Sequence, residues 1–214
     1  MQLFASIFLM NFACTGNTTS YSGHGTYDYL AFDGDRLWRY QSESAGIDYT
    51  LVVEKAESTV SDGVETTTFV YSKEDPQEDL GSITWVSGLI EGTGITKYTT
   101  SSGEEVVFDS TVVFAQNRMV PGGSVTTETN GVTFTSTMHG VEDCPNEWNT
   151  NEVWECLHFE LSVDNNDQNF PFVGDFWNAN GWGTSRFSAP NGPWGADSDW
   201  VLTFADCKYD GVDC

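Results

Sequence analysis

The sequence predicts an all-β fold: a single antiparallel meander of about ten strands, curved into a half-barrel or barrel. Three observations carry this. Outside the first thirteen residues no window of helix length has a helical apolar period. Short runs with apolar side chains at every second position recur along the chain, separated by turn dipeptides such as Asp62-Gly63, Ser102-Gly103 and Asn130-Gly131. A sheet of that many strands must also protect its edges, which a barrel does by closing; a two-sheet sandwich is the alternative.

The first element is the stretch from Tyr27 to Tyr40. Runs at 27–32 and 36–42 flank Asp33-Gly34-Asp35, a tight-turn signal, so a hairpin is expected there. Trp38 and Tyr40 share one face and Arg39 takes the other. Next, Ile47, Tyr49, Leu51 and Val53 alternate with Asp48, Thr50, Val52 and Glu54, and this strand pairs through Asp62-Gly63 with 64–72, rich in Thr, Val, Phe and Tyr. The charged, Pro-broken segment 73–79 reads as a loop. Strands follow at 82–90, 94–100 and 104–115, and Pro121-Gly122-Gly123 then turns the chain. Asn130-Gly131 is the strongest hairpin dipeptide, and beyond it Val132, Phe134, Ser136 and Met138 line one face. In the strand 153–163, Leu157, Phe159, Leu161 and Val163 point inward while Cys156, His158, Glu160 and Ser162 point outward. Closing strands are expected at 175–188 and 198–205, with Asn191-Gly192-Pro193 between them.

Composition bounds function and compartment. The 214 residues suffice for one domain with a proper core, placed at 27–214. Acidic residues outnumber basic ones 32 to 8, for a net charge of -24. A surface so negative repels phosphate backbones and argues against a nucleic-acid partner. Residues 1–13 are apolar and end in Ala13 before Cys14, which reads as a signal peptide; the segment resembles a bacterial lipoprotein signal, with Cys14 as the lipidated residue and membrane anchor. Residues 14–26 then form a polar tether. Thr15 after Cys14 is compatible with the outer membrane or cell surface; a periplasmic or secreted soluble protein is the alternative. Setting Cys14 aside leaves four cysteines. Local pairing gives bridges Cys144–Cys156 and Cys207–Cys214, favoured over a four-thiolate metal site because no Cys-x-x-Cys pair occurs.

The segment Tyr29-Leu30-Ala31-Phe32-Asp33-Gly34-Asp35-Arg36-Leu37-Trp38-Arg39-Tyr40 resembles the Tyr-Phe-Pro-Leu-x-x-Gly-x-x-Trp-x-Tyr opening of a family of exported, often lipid-anchored bacterial β-rich proteins. The stretch from Phe176 to Phe187, with Gly181-Trp182-Gly183 inside it, resembles the family's closing strand. The resemblance implies an exported β-rich scaffold rather than a chemistry.

Candidate chemistry rests mainly on aromatics. Eight Trp occur, and Trp177, Trp182, Trp194 and Trp200 crowd the closing region. Each ring can simply fill a core, or face a ligand by stacking on sugars or lining an apolar concavity. Trp148 and Trp194, in expected loops, together with Trp177 and Trp182, are the ligand-binding candidates. His24, His139 and His158 show no metal-ligand spacing, so no metal ligands and no catalytic residues are assigned. The stretch Asp164 to Asn169 is dense in oxygen ligands, and Asp164, Asn166 and Asp167 could hold Ca²⁺, although an EF-hand's Gly and bidentate Glu are missing. The expected function is a non-enzymatic binding or scaffold module of the cell envelope for a hydrophobic ligand or partner protein. A carbohydrate-binding module is the alternative, with a secreted hydrolase third.

Overall fold

The computed structural model describes residues 35–42, 47–88, 92–117, 119–144, 155–164, 170–192, 195–196, 199–209 and 212–213, with the backbone alone at 191–192, 195–196, 207–209 and 212–213. Its strands are β1 (Asp35–Ser42), β2 (Leu51–Ser61), β3 (Val64–Lys73), β4 (Glu78–Gly88), β5 (Gly92–Thr100), β6 (Glu105–Ala115), β7 (Ser124–Thr129), β8 (Val132–Asp143), β9 (Glu155–Val163), β10 (Gly174–Ala179), β11 (Gly183–Ser188), β12 (Asn191–Gly192), β13 (Gly195–Ala196), β14 (Asp199–Tyr209) and β15 (Val212–Asp213). Twelve of them follow one antiparallel path, β6-β5-β4-β3-β2-β1-β14-β11-β10-β9-β8-β7, while β15 extends β14 and β12 pairs with β13 alone. The sheet is barrel-like and nearly closed.

Two junctions close it. The first joins the ends of the meander: β1 pairs with β14 from Asp35↔Lys208 to Ser42↔Trp200. The second lies mid-chain, where β6 and β7 run side by side without a backbone ladder. There the side chains of β7 and its turn serve the backbone of β6. Val113 N–H donates to Thr127 Oγ1 (3.1 Å), Ser110 N–H to Thr129 Oγ1 (3.0 Å) and Asp109 N–H to Asn130 Oδ1 (2.9 Å), while Asn130 Nδ2 donates to Val107 O (2.9 Å). Hydroxyls and an amide thus satisfy groups that an open sheet edge would leave to water.

The alternation read from the sequence becomes the inside and outside of this wall. On β8, Val132, Phe134, Ser136 and Met138 are buried, and Thr133, Thr135 and Thr137 are only partly so. Leu51 and Val53 of β2, Phe69 of β3, Ile83 and Trp85 of β4, Phe114 of β6 and Leu157, Phe159 and Leu161 of β9 join them in one core. Register shifts interrupt the β1–β14, β3–β4, β5–β6, β8–β9 and β10–β11 ladders, and such bulges give a strand the extra bend that closure needs. Two hairpins turn where the dipeptides predicted. Asp62 and Asn130 sit at φ 54° and 51°, each followed by a Gly at positive φ, the pattern of a two-residue turn matched to strand twist.

The first arm of the expected opening hairpin, 27–32, lies outside the described residues; β1 itself pairs with β14 on one edge and with β2 on the other. One expectation needs correction. The stretch 175–188 is not one strand but the hairpin β10–β11, because the chain reverses at Asn180-Gly181-Trp182 with Gly181 at φ 76°. The Gly-x-Gly read as part of a closing strand is therefore a turn. That reversal makes two of the twelve strands on the path out of one expected strand.

The seam can be tested without touching the core. Asn130→Gly keeps the left-handed turn but removes both bonds to β6, and Thr129→Val leaves Ser110 N–H unpaired at a site where Thr129 is 4% exposed. Each variant should lose about 1–2 kcal/mol in urea unfolding. Unchanged stability in both would mean that the seam contributes nothing to closure.

Candidate functional site

The barrel interior is not filled evenly. Residues 170–172, just ahead of β10, fold inward, so that Phe170 and Phe172 are 4% and 1% exposed. Phe170 lies 4.9 Å from Phe134, and Phe172 lies 5.8 Å from Phe108 and 5.7 Å from Tyr98, ring centre to ring centre. One side of the interior is thereby packed with aromatic rings in edge-to-face contacts. On the other side of Phe172 a cavity of about 70 Å³ remains, lined chiefly by Trp38, Tyr40, Phe69, Trp85, Phe187 and the inserted Pro171.

Its polar lining is sparse and specific. Asn178 of β10 is 0% exposed; its Oδ1 accepts from Thr184 Oγ1 at 2.9 Å, and its Nδ2 has no hydrogen-bond partner. An unpaired buried amide donor costs about 1–3 kcal/mol, so the cavity holds a demand for an acceptor. The other polar walls are committed. Tyr40 OH donates to Thr184 O at 2.8 Å, and Trp38 Nε1 donates to Trp182 O at 2.7 Å. These two bonds tie β1 to the β10–β11 hairpin through the interior. Burial pushes the phenols of Tyr40 and Tyr71 well above their ordinary range, so both stay neutral. With no other ionisable side chain in the lining, the space suits an uncharged group.

Trp177 sits on the opposite side of the wall. Register aligns His158 of β9, Trp177 of β10 and Arg186 of β11 on the outer face. The His158 ring stacks on the indole at 4.3 Å and 17°, and the Arg186 guanidinium lies 5.1 Å from its centre. Trp177 Nε1 donates to Glu142 Oε2 at 3.0 Å, and Glu142 Oε1 lies 2.9 Å from His158 Nδ1. Those two bonds, from Trp177 first and His158 second, hold the Glu142 carboxyl below its usual range. His158 Nε2 meets Asp175 Oδ1 at 2.8 Å, and His139 Nε2 meets Glu160 Oε2 at 2.9 Å.

The remaining expected site residues fall as follows. Trp182 is half-buried and packs against the core, with its carbonyl taken by Trp38. Trp148, Trp194 and Cys14 lie outside the described residues, as does Cys214 of the expected Cys207–Cys214 bridge. Cys144 and Cys156 are joined, with Cα atoms 5.1 Å apart, and the bridge is buried on the outer face among Ala179, Trp177 and Trp182. Of the Ca²⁺ candidates, Asn166 and Asp167 lie outside the described residues, and Asp164 Oδ1 accepts from Thr133 N–H at 3.0 Å. Sequence reasoning missed Asn178 and the convergence of His139, His158 and Asp175. The outward parity of His158 was legible, but its neighbours depend on strand register.

No family model and no curated protein matches the chain. Among solved structures, a Parabacteroides distasonis protein named "putative lipoprotein" is similar over 83% of this chain and 97% of its own, at 9% identity and a TM-score of 0.39. A likeness at that level assigns no function to this chain.

Two outcomes are expected here. Replacing both Cys144 and Cys156 by Ser opens a loop of sequence separation 12 and should lower unfolding stability by about 3 kcal/mol in denaturant titrations. Because the folded-state value of Glu142 is depressed, its contribution to stability is complete above the ordinary carboxylate range and is lost as pH falls through the folded value. Glu142→Gln should therefore be less stable than the parent near neutrality, with the difference shrinking as pH falls below the ordinary carboxylate range in urea unfolding. A difference independent of pH would contradict the assignment.

Proposed function

We propose that this chain is an exported, lipid-anchored binding module of the cell envelope, whose barrel interior takes the slender end of an uncharged apolar molecule bearing one hydrogen-bond acceptor. The observation that carries the reading is the aromatic cavity with the unpaired Asn178 Nδ2 in its wall. A donor fixed by its bond to Thr184 and surrounded by rings selects for a carbonyl, ether or hydroxyl oxygen set on an apolar body. The volume, about 70 Å³ against the roughly 150 Å³ of a cavity that holds a benzene, favours a chain end over a ring. Neutral Tyr40 and Tyr71 disfavour a charged headgroup inside.

The Cys144–Cys156 bridge supports an oxidising compartment, and the apolar leader ending at Cys14 supports an anchor there. A glycan-stacking role draws less support from the Trp residues that the structure describes. Trp38, Trp85 and Trp200 are interior, and Trp177 is flanked on both sides by His158 and Arg186.

The reading is tested by following backbone and side-chain amide signals by NMR while adding 2-butanone, a short chain with one acceptor, or n-pentane, a short chain with none. The Asn178 amide signals should shift with the ketone, which should bind about 5- to 10-fold more tightly than the hydrocarbon, the worth of one hydrogen bond. Val53→Phe, which directs a ring into the cavity, should abolish both. Absence of any Asn178 response to the ketone would rule the reading out.

A further inference from the structure

A second group of polar side chains converges on the outer face of β8, β9 and β10, apart from the cavity. His139 of β8, His158 of β9 and Asp175 of β10 each place a donor atom within 4.8 Å of the other two. Glu160 joins them through its 2.9 Å contact with His139 Nε2. Three strands contribute, so the arrangement belongs to the sheet rather than to a loop.

The hydrogen-bond pattern around His158 is the telling part. Its Nδ1 faces Glu142 Oε1 at 2.9 Å, and Glu142 is held in place by Trp177 Nε1 on its other oxygen. Facing a carboxylate, which can only accept, Nδ1 carries the hydrogen. In a neutral ring Nε2 is then a lone pair, yet it stands 2.8 Å from Asp175 Oδ1, a second acceptor. A positive charge must lie between them, either a proton or a metal ion. The Trp177 ring stacked against His158 fixes the imidazole plane. An imidazole whose far nitrogen is oriented by a carboxylate is the usual supporting arrangement for a metal-bound histidine.

We propose that His139, His158 and Asp175, with Glu160 as fourth donor, form a surface site for one divalent transition-metal ion of the zinc type. Two imidazole nitrogens and carboxylate oxygens are the donor set of a borderline-soft ion, whereas Ca²⁺ and Mg²⁺ ask for oxygen alone. Metal bonds of 2.0–2.2 Å in a tetrahedron set donors about 3.4 Å apart. The pairs now hydrogen-bonded at 2.8 and 2.9 Å must therefore part by about 0.5 Å and the wider ones close by about 1 Å, which side-chain rotation at the half-exposed His139 and Glu160 supplies. The ion offsets the charge of Asp175, Glu160 and Glu142 on an already acidic surface and ties three neighbouring strands.

The test is Zn²⁺ titration of the chelator-stripped full chain by calorimetry, with Co²⁺ absorption reporting coordination. One Zn²⁺ per chain should bind in the micromolar range or tighter, and Co²⁺ should give the intense visible bands of a tetrahedral nitrogen–oxygen site. His139→Ala, His158→Gln and Asp175→Asn should each weaken Zn²⁺ at least 10-fold, the lower end of what losing even a supporting residue costs a metal site. Ring ¹⁵N signals of His139 and His158 in the unsubstituted protein should move on Zn²⁺ addition while those of His24 stay, which keeps the idea testable if a variant misfolds. Binding no tighter than millimolar, equal binding by all three variants, or unmoved His139 and His158 signals would each overturn the site.

Discussion

A twisted sheet of twelve strands has two edges, and everything inside this protein depends on how those edges are joined. Those edges are β6 and β7, and Thr127, Thr129 and Asn130 join them, reaching the backbone of β6 only from particular positions. The other junction, β1 with β14 inside the sheet, uses backbone hydrogen bonds, which are indifferent to side-chain identity and fix register along eight residues of β1. One junction is therefore written in strand length and the other in chemistry. Because Asn130 also forms the β7–β8 turn, one residue sets the turn and anchors the seam.

Once closed, the wall encloses more space than its own inward side chains fill. Residues 170–172 supply the difference on one side, where Phe170 and Phe172 pack against Tyr98, Phe108 and Phe134. Beyond them the space remains open, and β1 meets it with two aromatic residues whose polar tips are held by the β10–β11 hairpin. The cavity lining is consequently neutral, and its one polar atom without a partner is the Asn178 amide. The outside is the reverse: acidic, hydroxyl-rich and punctuated by charged pairs such as Lys73–Glu78 and Lys97–Glu105. A ligand entering such a barrel leaves its charge outside.

The fold was largely legible because period-two alternation is written residue by residue. The inward set of β8 and the inward set of β9 could be named before any coordinates, and burial of Phe134, Ser136, Met138, Phe159 and Leu161 follows it. Turn chemistry was equally local at Asp62-Gly63 and Asn130-Gly131. What was not legible was pairing. β1 takes β14, far along the chain, on one edge, and no local signal announces a partner so distant. At 180–183 the local signal existed, in Asn180-Gly181, but the likeness to a Gly-containing closing strand overrode it. The cavity was illegible for a related reason, since Asn178 is one Asn among many until the Phe170–Phe172 insertion leaves space beside it.

The bulge on β8 shows how a single extra residue links features that look unrelated. Met138 pairs with Phe159 and Gly140 pairs with His158, so His139 is the residue with no partner of its own in the ladder. Strict alternation from Val132 onward would send residues 140, 142 and 144 inward. The inserted residue reverses that parity, so that Val141 packs against the core and Glu142 faces solvent opposite Cys156. Only then does Cys144 reach the outer face, where Cys156 waits on the outward side of β9. The same shift keeps His139 and Glu142 on one surface, bracketing the His158 ring from two directions. Without the bulge Cys144 would face the core and the bridge could not form, and Glu142 would be buried among aromatic rings instead of accepting from Trp177.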